Sequence, residues 1–222
     1  MKSRFIILAV FGLLISHLTQ AAMISNGDFQ TCDFTGWQQD VDGLGPVAGS
    51  PDFSIINNAG DCSAQLFVDD LDTASAMIAN TLFTHLDLTA QANETLSLSF
   101  DWVFEGTDGD PDFGDYFLVF LGDGSGTPLN EFGMDGLLID AISEYGAGSF
   151  SIALDASLNN MPDLTLEFQL NDAFSGSQDI LFSTLNIDNV QLSANSVPVN
   201  GPYSLGLFIA ALALLRRRAT RV

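Results

Sequence analysis

The stretch Thr95-Leu96-Ser97-Leu98-Ser99-Phe100-Asp101-Trp102-Val103-Phe104-Glu105 decides the fold. Leu96, Leu98, Phe100, Trp102 and Phe104 fall on one side of an extended chain, and Ser97, Ser99, Asp101 and Glu105 on the other. A period of two is that of a strand with one buried face. On either side of it the same grammar continues. Short apolar or alternating runs at 24–30, 63–68, 80–88, 116–121, 149–154, 164–170 and 184–192 are separated by Gly, Asp, Asn and Pro. The run at 116–121 is wholly apolar, which predicts a strand buried on both faces. Residues 75–78 and 137–142 read as short helical turns. Roughly eight strands at this spacing predict an all-β protein, a β-sandwich.

The charge of this region is one-sided. All six basic residues (Lys2, Arg4, Arg216, Arg217, Arg218 and Arg221) sit at the two ends, and all 28 acidic residues lie between Asp28 and Asp188. The middle therefore has no Lys or Arg to neutralise phosphate, which excludes nucleic acid as a partner. Self-repulsion on this scale destabilises a compact state unless cations offset it. Yet 47% of the chain is hydrophobic, with 18 Phe, so it has the means to bury a core.

The ends carry addresses. Lys2 and Arg4 precede an apolar run from Phe5 to Ile15, and Thr19-Gln20-Ala21 supplies small residues for cleavage after Ala21. This is the pattern of a signal peptide over 1–21. The sandwich then occupies 22–194, and 195–222 forms a linker and tail. That tail has Val197-Pro198-Val199-Asn200-Gly201-Pro202, an apolar run from Tyr203 to Leu215, and Arg216-Arg217-Arg218. Thirteen helical residues rise only ~20 Å, against ~30 Å for a hydrocarbon core. Arginines after such a run hold it on the cytoplasmic side, with the domain outside. The expectation is an exported chain, at the cell surface or secreted, held at the inner membrane by its C-terminal helix transiently or stably. A signal helix and a hydrophobic helix would then flank the sandwich. In an exported chain the only two cysteines, Cys32 and Cys62, read as one disulfide.

The order of parts in the tail resembles the PEP-CTERM sorting signal of Gram-negative bacteria. Val197-Pro198 matches, while Val199-Asn200 stands where the usual motif has Glu-Pro. The resemblance implies an exosortase-type processing enzyme as a partner, acting at Val197, Pro198 and the arginines Arg216, Arg217 and Arg218, and often an exopolysaccharide setting. A second resemblance lies in the domain. Asn26-Gly27-Asp28-Phe29-Gln30, followed by Asp33-Phe34-Thr35-Gly36-Trp37, is similar to the opening of galactose-binding-like jelly rolls. Ile187-Asp188-Asn189-Val190 is similar to their closing strand. This implies a jelly-roll sandwich of the kind found in carbohydrate-binding modules, with a structural calcium ion held between the first and last strands. The matching positions are Gln30 and Asp188, with Asp28 on the same strand face as Gln30.

A second cation candidate is the loop Asp108-Gly109-Asp110-Pro111-Asp112-Phe113-Gly114-Asp115, whose alternating acids concentrate negative charge. It lacks the sixth-position Gly and twelfth-position Glu of an EF-hand. For sugar stacking the candidates are Tyr145, in a Gly-rich loop, and Trp37; Trp102 faces the core by alternation. His85 and Asp87, two apart on one strand, offer the thin outline of a hydrolase, with no marked nucleophile or oxyanion hole. The function expected is therefore non-catalytic: a calcium-stabilised surface protein that binds polysaccharide or contributes to an extracellular matrix. The alternatives are an adhesive surface protein without a sugar site and a secreted hydrolase.

Overall fold

The computed structural model describes residues 24–41, 46–47, 51–69, 79–88, 94–107, 114–159, 161–172 and 181–196. The expected signal peptide, the sorting tail, the 75–78 turn and Asp108, Asp110 and Asp112 lie outside them. Among the described residues no helix is long and apolar enough to cross a membrane.

Two antiparallel sheets pack face to face. One has the order β2 (Pro46–Val47), β1 (Gln38–Val41), β5 (Ala79–His85), β11 (Thr165–Asn171), β7 (Tyr116–Gly122), β8 (Pro128–Leu129), with β9 (Ile139–Ile142) also on β7. The other has the order β10 (Gly146–Leu154), β6 (Glu94–Gly106), β12 (Phe182–Ser196), β4 (Asp61–Asp69), β3 (Phe53–Asn58). From β5 to β12 the chain passes repeatedly between the sheets, so most neighbours are distant in sequence. This two-sheet sandwich is consistent with the jelly roll that the resemblance implied.

The decisive stretch is β6, and its alternation holds. Leu96, Leu98, Phe100 and Phe104 are buried, while Trp102 is only half-buried at the margin of the core, against Phe117. Facing them from the other sheet are Leu82, Phe117, Val119, Leu121, Leu166, Phe168 and Leu170. Aromatic edges lock the layers: Phe100 meets Phe168 at 4.9 Å and 88°, and Phe104 meets Phe117 at 5.4 Å and 68°.

Four expectations are corrected. The opening stretch 24–30 is a chain of turns instead of a strand, because Asn26, Phe29 and Cys32 adopt φ of 51°, 49° and 53°. Phe29 is nonetheless fully buried, which anchors the turns to the core. Residues 139–142 form β9 instead of a helical turn, since Ile142 and Ile139 pair with Phe117 and Val119. Finally, β7 is fully buried on one face and half-buried on the other. The last strand also continues through Ser196, pairing Asn195 with Thr95 and Ser196 with Glu94, and so enters the stretch read as linker.

Candidate functional site

Two depressions on the surface carry chemistry. The first surrounds a bulge in β12. The register with β6 runs Asp188 to Asp101, then resumes at Gln191 to Ser99, so Asn189 and Val190 together oppose Phe100. Asn189 takes φ 53°, which lets Val190 turn inward while Asp188 stays on the outer face. Where β4 stops pairing with β12, the turns at 24–32 take its place, and the Val190 N–H donates to the Gly27 carbonyl at 2.8 Å. Gly27 is required there: a Cβ would stand 2.0 Å from the Val190 carbonyl oxygen.

The hollow so formed holds about 200 Å³ and is lined by Asn58, Asp61, Asp101, Trp102, Asp188 and Asn189, among others. Asp101 and Asp188 face each other directly across the ladder, an arrangement that is ordinarily destabilising. Their environments differ. Ser149 Oγ donates to Asp101 and Asn189 Nδ2 donates to its other oxygen at 2.9 Å, which holds the Asp101 carboxyl below the usual range. Burial pushes Asp188 up, the Asn189 N–H opposes this, and the charges of Asp61, Asp101 and Asp28 add to the rise.

The residues singled out at the two ends of the domain thus meet. Asp28 is close enough to Asp188 for their charges to interact. Gln30 does not share a strand face with Asp28; its Nε2 donates to Asp61 Oδ1 at 2.9 Å and to the Asp28 carbonyl at 3.1 Å. Beside them the Cys32–Cys62 disulfide ties the turns to β4. The donors are hard oxygens, suited to calcium. Among the described residues, however, no three acidic, histidine or cysteine side chains are gathered closely enough to hold a metal ion.

The second depression is a cleft of about 350 Å³ between the 130–136 loop and the end of β10, lined by Thr95, Leu96, Phe132, Leu154, Asp155 and Asn159, among others. Phe132 is 51% exposed and its loop neighbour Met134 is 59% exposed. The loop is organised by one residue. Asn130 Oδ1 accepts from the N–H groups of Phe132 and Met134 at 3.0 and 3.2 Å, and its backbone N–H donates to the Met134 carbonyl. Gly133, at φ 69°, makes the turn possible. Across the cleft Asp155 caps a single 3₁₀ turn, Ala156–Leu158, by accepting from the Ser157 N–H. That backbone hydrogen bond holds the Asp155 carboxyl below its ordinary range. Ser157 Oγ in turn donates to the Phe132 carbonyl at 2.8 Å, so the two walls are joined.

The aromatic residues expected to stack on sugar are elsewhere. Trp37 is 6% exposed and packs on Phe29 and Phe168, with its Nε1 donating to the Asn26 carbonyl. Tyr145 is half-buried on Phe104, and its hydroxyl is hydrogen-bonded to Ser183. His85 and Asp87 are both exposed, but β5 ends at His85, so they do not share a strand. Asp115 is buried just before β7, away from the hollow.

Phe132 was missed because turn-rich sequence was read only as a connection. The signal was there: Phe and Met separated by Gly in Asn130-Glu131-Phe132-Gly133-Met134-Asp135-Gly136.

No family model matches the chain, and no curated protein does. Solved structures overlap with it loosely. A cyclase from Fischerella sp. TAU gives a TM-score of 0.44 at 16% identity, covering 81% of this chain and 100% of that one. The family 11 carbohydrate-binding module of Clostridium thermocellum, in complex with a β-1,3-1,4-mixed-linked tetrasaccharide, gives 0.37 at 12% identity, covering 78% and 94%. The enzymatically active domain of bacteriophage CBA120 tailspike protein 4 gives 0.42 at 12% identity, but this chain covers 79% of itself and only 22% of that chain. At these TM-scores and identities the overlap assigns neither a family nor a ligand.

Proposed function

We propose that this chain is an exported, non-catalytic binding protein that takes polysaccharide in the Phe132 cleft. The observation that carries the reading is the exposed Phe132 ring, held by Asn130 beside a hollow that offers Asp155, Asn159 and Thr95. An apolar face next to carboxylate, amide and hydroxyl groups is what a sugar ring needs, since its C–H face stacks and its hydroxyls hydrogen-bond. A preformed loop lowers the ordering cost of binding. Export follows from the signal pattern at 1–21. Processing by an exosortase-type enzyme, or retention in the inner membrane, follows from the tail. Asp188 and Asp28, with Gln30 beside them, would hold a calcium ion at the β12 hollow, and its charge would offset theirs.

The test is affinity electrophoresis of the full-length chain in gels containing mixed-linkage glucan, xylan, agarose or a bacterial exopolysaccharide, with calcium present. Retardation in at least one gel is expected. Phe132→Ala weakens it at least about tenfold while stability shifts by less than ~0.5 kcal/mol, as for an exposed side chain. Free migration in every gel, or equal retardation of Phe132→Ala, overturns the proposal and favours an adhesive protein without a sugar site.

A further inference from the structure

Beyond the last pair of the β7–β11 ladder, Tyr116 with Asn171, stand Asp115 and Asp172. Two positions inward on each strand are Phe117 and Leu170, both fully buried and paired with each other. Alternation therefore turns both aspartates to the inner face of the sandwich, and they are 3% and 1% exposed. On β5, Asn80 pairs with Leu170, which makes it the diagonal neighbour of Asp172 on that same face. Asn80 is 1% exposed, and its Nδ2 donates at 2.7 Å to the Phe67 carbonyl of β4, so its amide bridges the two sheets. Its Oδ1 is buried with no hydrogen-bond partner.

An amide oxygen in that position is costly unless something positive meets it. Carboxylates at that depth are costlier still without a compensating charge. Between Arg4 and Arg216 the chain has no Lys or Arg, and His85 is at the opposite end of β5 from Asn80. The domain's own side chains thus supply no permanent cation to this layer.

The geometry points to a buried divalent-cation site between the sheets, formed by Asp115, Asp172 and the Oδ1 of Asn80. All its donors are hard oxygens, which selects calcium over zinc. Two carboxylates and an amide oxygen supply three to five ligands, and backbone carbonyls or one to three waters complete the six to eight that calcium takes. The site is separate from the hollow at the β12 bulge, whose carboxylates lie on the outer face, and it stands whether or not that hollow takes an ion.

The experiment removes the outer site first. In full-length Asp188→Asn, the melting temperature is compared in calcium and in chelator at matched ionic strength, and terbium luminescence lifetimes in H2O and D2O count the waters on the bound ion. A melting temperature still raised by calcium in Asp188→Asn, and a terbium ion carrying about three waters or fewer, are expected. Adding Asp172→Asn abolishes the calcium effect and weakens terbium binding at least about tenfold. Loss of the calcium effect in Asp188→Asn alone, or its survival after Asp172→Asn is added, overturns the inference. Should Asp172→Asn fail to fold, the water count decides: an ion with about six or more waters is a surface ion and overturns it as well.

Discussion

Asp101 and Asp188 show how two identical side chains, paired across one ladder, have their pKa values moved in opposite directions by their surroundings. Asp101 is held down by donors from Ser149 and Asn189, so it stabilises the fold above the ordinary aspartate range and loses that contribution as pH falls through its lowered value. Asp188 is pushed up chiefly by burial, so its contribution is complete at low pH and is lost as pH rises through the raised value. In chelator at neutral pH, Asp188→Asn should therefore melt above the unaltered chain, with the gain vanishing as pH falls to about 4. Asp101→Asn should melt below it, because the amide can no longer accept both donors as a carboxylate does. Calorimetry across pH 4–8 reads both signs, and the same sign for the two would show that the pair does not behave as its surroundings dictate.

At the scale of elements, what was legible followed periodicity. The alternation of β6 named its buried residues correctly because one face of that strand meets Phe117 and Phe168 and the other meets solvent. The segment 24–32 was illegible as a path though not as a landmark. Its motif marked the neighbourhood of Asp188, but nothing local revealed that Asn26, Phe29 and Cys32 would adopt left-handed conformations. Those conformations are held by tertiary ties: the buried Phe29, the disulfide to Cys62, and the Gly27–Val190 contact. By chain entropy, a crosslink with a sequence separation of 30 contributes about 3–4 kcal/mol. Gly27→Ala forces a methyl against the Val190 carbonyl and should destabilise by about 1–3 kcal/mol, measured by denaturant unfolding. It should also reopen the bulge and free Asn189 from Asp101. Unchanged stability would mean that the contact is looser than its geometry.

For the molecule as a whole, composition foretold a surplus of negative charge but not where it would concentrate. The acid-rich loop at 108–115 was the conspicuous feature of the sequence. The structure buries Asp115 and brings Asp172 level with it from β11, a juxtaposition set by strand order and invisible to spacing along the chain. The exposed aromatic was likewise hidden: Trp37 is buried and Tyr145 half-buried, whereas Phe132, in a turn-rich stretch without strand periodicity, stands 51% exposed. With 28 acids and no internal Lys or Arg, monovalent salt alone should raise the melting temperature steadily from about 0.01 to 0.5 M as the Debye length shrinks from ~30 Å to ~4 Å. A flat response would mean that repulsion is already neutralised by bound ions that resist exchange.

The continuation of β12 through Ser196 sets how the molecule would bear a load. Six residue pairs with β6 lie on either side of the bulge, and the second set runs to the end of the strand at Ser196. A pull on Ser196 directed along the axis of that strand would load the bonds from Gln191 to Ser196 together in shear instead of parting them one by one. A domain tethered by its tail would then hold its shape under flow, and the bulge at Asp188 would be the point where the strain stops.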